Sequence, residues 1–128
     1  MTIDEAIKRR VLDLCNKPVA LGGWLGLPYE QEDCLKFAVR VLREIGLDVT
    51  EEAMKEARNF RKVDEPQFGD VVIFHAMPSM KFHVGIMLDH RKAIQCSEAT
   101  GGAGKIDVYR QDIREYVKGF RRHAALCF

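Results

Sequence analysis

A thiol attacks a carbonyl as the thiolate, so a nucleophilic cysteine needs surroundings that favour negative charge and a base to take its proton. Cys34 has such a position. Asp33 is a good helix N-cap, and with Asp33 as the cap Cys34 falls in the first turn of the helix that follows. There the unpaired backbone N–H groups and the helix dipole favour an anion, and the same N–H groups can hold the oxyanion of a tetrahedral intermediate. The other three cysteines, Cys15, Cys96 and Cys127, form no C-x-x-C pair and read as reduced, mostly buried thiols.

The base must be a histidine within hydrogen-bond reach. His90 lies in a charged turn and His123 near the C-terminus, and both read as solvated; His75 falls where its strand meets the loop at Pro78. His83 opens the run His83-Val84-Gly85-Ile86-Met87-Leu88, whose alternation groups His83 with Gly85 and Met87 on one face of a strand. A helix laid across that face would bring Cys34 to His83, with Gly85 leaving room for close approach. On the next strand, twelve residues on, Gln95 points away from Ile94, and its carbonyl oxygen can accept the second ring proton of the histidine.

These groups need a scaffold, and the sequence supplies two halves of different period. Thr2-Ile3-Asp4-Glu5 matches a capping box, followed by Ile7, Val11, Leu12 and Leu14 at helical spacing, with Pro18 and Gly22-Gly23 closing the helix. A second helix is predicted from Asp33 to about Ile45, apolar at Leu35, Ala38, Val39, Leu42 and Ile45, polar at Lys36, Arg40, Arg43 and Glu44, and stopped by Gly46. Thr50-Glu51-Glu52 starts a third that fades near Phe60. After Pro66 the period becomes two: 70–74, 82–88, 93–97, 106–109 and 119–122 read as strands, Gly101-Gly102-Ala103-Gly104 as a hairpin loop, and 112–116 as a helical turn. Asp70 reads as structural, turning the chain into its strand. Helices first and an antiparallel sheet of about five strands afterwards is an α+β arrangement.

Composition bounds the rest. At 128 residues the chain has the size of one domain, 1–128, with no repeat, charge block or linker dividing it. It is 47% hydrophobic and 30% charged, which excludes global disorder. Twenty Lys and Arg against nineteen Asp and Glu leave a net charge of +1, unlike the strongly basic balance of a nucleic-acid binder. No apolar run approaches a membrane span, and Met1 to Cys15 lacks the apolar centre of a signal peptide, so the expectation is a protein that is cytoplasmic as synthesised.

The order of features resembles the NlpC/P60 family of cysteine peptidases: an Asp33-Cys34 helix start, then Phe68-Gly69-Asp70-Val71-Val72-Ile73-Phe74, then His83-Val84-Gly85-Ile86, then Ala93-Ile94-Gln95-Cys96-Ser97. The closing Gly119-Phe120-Arg121-Arg122-His123 is similar to the end of the phage-tail type of these domains. The likeness runs from about Leu27 to His123. It implies a papain-like α+β fold and hydrolysis of peptide amide bonds in bacterial peptidoglycan, with Cys34 as nucleophile, His83 as base and then acid, and Gln95 as orienter. It also implies substrate contacts at Tyr29, just upstream, and Asp33, no metal or cofactor, and delivery to the cell wall by a phage tail or other apparatus. Three features depart from the family pattern: Leu35-Lys36 follows the cysteine where a small residue is usual, Gln95 stands where histidine is usual, and an export signal is missing. A binding or structural domain without turnover, and acyl transfer by the same pair, are the alternative readings.

Overall fold

The computed structural model describes residues 5–16, 31–75, 83–97 and 102–126. The Thr2 capping box, the Pro18 and Gly22-Gly23 helix stop, Tyr29 and Cys127 lie outside the described residues, as do the side chains of Cys15, Asp33 and Cys96. Helices α1 (Glu5–Asn16), α2 (Gln31–Ile45) and α3 (Glu51–Lys55) come first, followed by strands β1 (Phe60–Val63), β2 (Val71–Phe74), β3 (His83–Met87), β4 (Lys92–Ser97) and β5 (Gly102–Asp107). A short helix α4 (Gln111–Arg114), strand β6 (Val117–His123) and a 3₁₀ turn (Ala124–Leu126) complete the chain. The α+β arrangement expected from the two periods is the one observed.

The sheet is antiparallel throughout in the order β1-β6-β2-β3-β4-β5, six strands where the sequence suggested about five. The additional strand is β1. Its residues Phe60-Arg61-Lys62-Val63 put two exposed charges between two half-buried apolar side chains, a weak alternation that passes for the tail of a helix. Helix α3 stops at Lys55, and the chain then reverses through Ala57 and Asn59, both in the left-handed region at φ 55° and 65°. The glycine-rich stretch is also a correction: Gly102, Ala103 and Gly104 pair with Ser97, Cys96 and Gln95 as part of β5, so they form strand and not loop. A sheet edge tolerates side chains this small because only one neighbour packs against them.

Helix α2 is the centre of the molecule. It packs on β3 and β4 and touches α1 and α3, so its buried surface is wider than the sequence stripe: Phe37 and Val41 are enclosed along with Leu35, Ala38, Val39, Leu42 and Ile45, and among its described side chains Lys36, Arg40 and Arg43 stay exposed. Its end is fixed by Gly46 at φ 106°, with the Gly46 N–H donating to Arg43 O at 2.9 Å and the Leu47 N–H to Leu42 O at 3.0 Å. This paired pattern is the Schellman motif, accompanied here by burial of both Leu42 and Leu47. Thr50 caps α3 as expected, its hydroxyl accepting from the Ala53 N–H at 3.1 Å.

The sheet separates two apolar clusters. On one face α2 meets Val71, Val84, Ile86 and Ile94. On the other, Val72, Phe74, Met87, Ala93, Val108 and Phe120 form a second cluster, flanked by Ile113 and Tyr116.

Candidate active site

Helix α2 begins at Gln31, two residues before the expected cap, so Asp33 is a helical residue and not the N-cap. Cys34 is the fourth residue of α2 and closes its first turn, directly after the backbone N–H groups that lack intrahelical acceptors. Its thiol is 0% exposed. Leu35, one of the departures from the family pattern, is spent on packing: it is enclosed in the α2 cluster, while Lys36 faces solvent.

His83 is the first residue of β3 and pairs with Phe74, the last of β2; their ring centroids are 5.1 Å apart at 38°. The register between β2 and β6 shifts at Ile73/Phe74, so the sheet is irregular at this end. Gly85 pairs with Val72, and because Ile86 pairs with Ile94 the adjacent positions Gly85 and Gln95 lie side by side. A Cβ on Gly85 would stand 3.0 Å from the Ile94 carbonyl oxygen, 3.2 Å from Val72 Cγ1 and 3.4 Å from Gln95 Cβ. The glycine is thus needed for contact between β3 and β4, beside the Gln95 side chain itself.

His83 and Gln95 are 3% and 1% exposed, two of the three buried polar or charged side chains among the described residues, with Asp70. Burial holds the imidazole well below its usual range, to about 4, and the Gln95 side chain pulls the other way by favouring the protonated ring. The ring is therefore neutral at neutral pH, and the same burial makes it a weaker base than an exposed histidine. Its Nδ1 makes no hydrogen bond among the described residues. A buried ring nitrogen left in that condition costs about 1–3 kcal/mol, a cost that marks positions kept for a task.

One expectation about placement is overturned. The sequence reading laid the helix across the face carrying His83 and Gly85, yet α2 clusters with the intervening residues Val84 and Ile86. His83, Gly85 and Gln95 belong by register to the face of Val72 and Phe74. Both faces of β3 are buried along its whole length, so alternation could not reveal which one the helix takes. The Cys34 end of α2 and the His83 end of β3 are both terminal positions of their elements.

Sequence reasoning missed Phe74 as the wall of the imidazole, although its strand register with His83 follows once β2 and β3 are paired. Asp70 is structural, as expected, and its partner is now visible. The carboxylate accepts from the Gln67 N–H at 2.8 Å and from Arg122 Nε and Nη2 at 2.9 and 2.8 Å, completely buried. This two-pronged pair ties the turn before β2 to β6. Among the described residues no group of three His, Cys, Asp or Glu side chains is arranged to hold a metal ion.

The model of the NlpC/P60 family matches residues 18–122. No curated protein matches the chain. Among solved structures, the chain is similar to a protein described as similar to lipoprotein, NLP/P60 family, from Staphylococcus aureus subsp. aureus Mu50, with a TM-score of 0.67 and 18% identity over 96% of this chain and 43% of that one. It is also similar to an NlpC/P60 family protein from Bacillus cereus ATCC 10987, with a TM-score of 0.65 and 18% identity over 91% and 40% of the two chains. The chain spans less than half the length of these relatives.

Proposed function

The chain belongs to the NlpC/P60 family, whose members are generally cell-wall peptidases, and from that premise we propose that it is a cysteine peptidase or amidase acting on peptide amide bonds of peptidoglycan. The observation that carries this reading is the buried, neutral His83 with an unpartnered Nδ1, beside the strand that bears the buried Gln95.

The chemistry follows from the states of these groups. His83 takes the thiol proton as Cys34 Sγ forms a bond to the amide carbonyl carbon, and N–H groups of the first turn of α2 stabilise the oxyanion. The C–N bond breaks as the imidazolium gives its proton to the leaving amine, which leaves an acyl thioester. Water, losing a proton to His83, then attacks the thioester, and the thiol is restored. Gln95 is proposed to orient the ring in the substrate complex, its amide oxygen then accepting the second ring N–H in the manner of the amide in Cys-His-Asn enzymes. Tyr29 and Asp33 are proposed to contact substrate. The Cys34 sulfur is fully covered, so a substrate carbonyl reaches it only by displacing a neighbouring group.

The same cover favours a second reading, a domain that binds peptide or glycan without turnover. Delivery by a phage tail or another apparatus is proposed as the route to the wall; the family match is to the family as a whole, and neither relative named above is described as a tail component.

Alkylation tests the pair directly. At pH 5.5 a small iodoacetamide-type reagent is expected to label Cys34 faster than the other three thiols, and His83→Ala is expected to slow that labelling at least tenfold while leaving the other thiols unchanged. Labelling of Cys34 at the same rate with and without the imidazole overturns the assignment of His83 as base.

A further inference from the structure

Strands β2 and β6 pair with Ile73 opposite Gly119. Gly119 leaves the α3 side of the sheet bare at that point, and the Arg121 side chain folds back over it: a Cβ at 119 would meet Arg121 Nη1 at 3.3 Å, and Nη1 donates to the Phe120 carbonyl oxygen at 3.0 Å. Beside this guanidinium is a cavity of about 220 Å³ between α3 and the sheet. Its floor is Val71, Ile73 and Val84, and Met54 and Phe60 stand at its walls. Ile73, Met54 and Phe60 are only partly buried although they pack against the main cluster, so apolar surface is left uncovered here.

The charged lining has one sign. Lys55, Lys118 and Arg121 reach the cavity, and no acidic side chain lines it. Some other cations are matched, Arg58 with Glu56, Arg91 with Asp107, Arg110 with Asp112 and Arg122 with Asp70, whereas Lys36, Arg61, Lys62 and Lys105 stand exposed without an ion pair among the described residues and do not line this cavity. Among the described residues none of the three cavity cations has an ion-pair partner. Three unmatched positive charges around an apolar floor, in a chain of net charge +1, form a surface complementary to an anion with an apolar tail.

We infer that this cavity is a binding site for a small amphiphilic carboxylate, its tail on Val71, Ile73 and Val84 and its anionic end against Lys118 and Arg121. The cavity lies below the ~300–1,000 Å³ of pockets for drug-sized ligands, which restricts the tail to a short one. None of Cys34, His83 and Gln95 lines it, so the site stands or falls apart from the catalytic reading. Two sources share the chemistry: a short acyl anion and the terminal carboxylate of a peptide ending in an apolar residue.

The test is a methyl NMR titration of the intact chain with octanoate, N-acetylleucine and octanol, following the methyl groups of Val71, Ile73 and Val84. At least one carboxylate is expected to give saturable shifts confined to these methyls, at a concentration at least tenfold below that of uncharged octanol. Tighter binding of octanoate identifies the acyl source, and tighter binding of N-acetylleucine the peptide terminus. Replacing both cations, Lys118→Gln with Arg121→Gln, is expected to weaken the carboxylate about tenfold or more, since the anion loses its charged partners. The octanol comparison needs no variant, so the outcome does not depend on how these substitutions fold. Absence of saturable shifts with either carboxylate, or octanol binding as tightly as octanoate, overturns the proposal.

Discussion

His83 ties stability and activity to the same proton. Its imidazole is held near 4 by burial, against a usual value of 6.5. In the unfolded chain the ring protonates as pH falls through about 6.5, while the folded ring stays neutral until about 4. The stabilisation is therefore complete above 6.5 and is lost progressively between 6.5 and 4, by about 3 kcal/mol. Urea unfolding at pH 7 and pH 4 is expected to show this loss in the wild type and a loss smaller by that amount in His83→Gln. In the enzymatic reading the same neutral ring is the base, so kcat/KM is expected to rise with pH through about 4 and level off, and an acid limb near 6.5 would contradict the observed burial. The place of Cys34 near a helix start and of His83 on a strand was legible from sequence because helix and strand positions are set by local pattern. The neutralising burial of His83 was not, since it depends on Phe74 and on β4 across the sheet.

Positioning is decided between elements. Gly85 lets β3 and β4 approach, since a methyl there would press on the Ile94 carbonyl oxygen at 3.0 Å and push a neighbour aside. Gly85→Ala is expected to cost about 1–3 kcal/mol, the usual range for overpacking, and to lower activity more than stability by shifting Gln95 relative to the ring; equal activity per folded molecule would show that Gln95 placement does not matter. Asp70 and Arg122 form the other joint, linking the turn before β2 to the last strand. Removing one partner of a buried pair leaves an uncompensated charge, so Asp70→Ala is expected to destabilise by about 3–5 kcal/mol in chemical unfolding. The Gly69-Asp70 turn was legible as structural, but its partner lies 52 residues away, and no local pattern announces such a pairing.

Across the molecule, the division into helices and then sheet was legible because a 3.6-residue period gives way to a period of two near Pro66. Strand β1 was not, because its charged residues at a sheet edge carry little alternation; such charges also discourage pairing with a second sheet. The face chosen by α2 was hidden for the opposite reason, both faces of β3 being apolar enough to bury. Cys34 lies near the start of α2 and His83 starts β3, and α2 covers the other face of that strand, so the catalytic reading depends on a meeting of termini. Digestion of purified peptidoglycan fragments by wild type and Cys34→Ala, with the products weighed by mass spectrometry, tests it most directly. New fragments that differ from their parent by hydrolysis of a peptide amide bond, present with wild type and missing with Cys34→Ala, are the expected result. Fragments left intact by wild type on prolonged incubation, or cleaved equally by both proteins, would contradict the account.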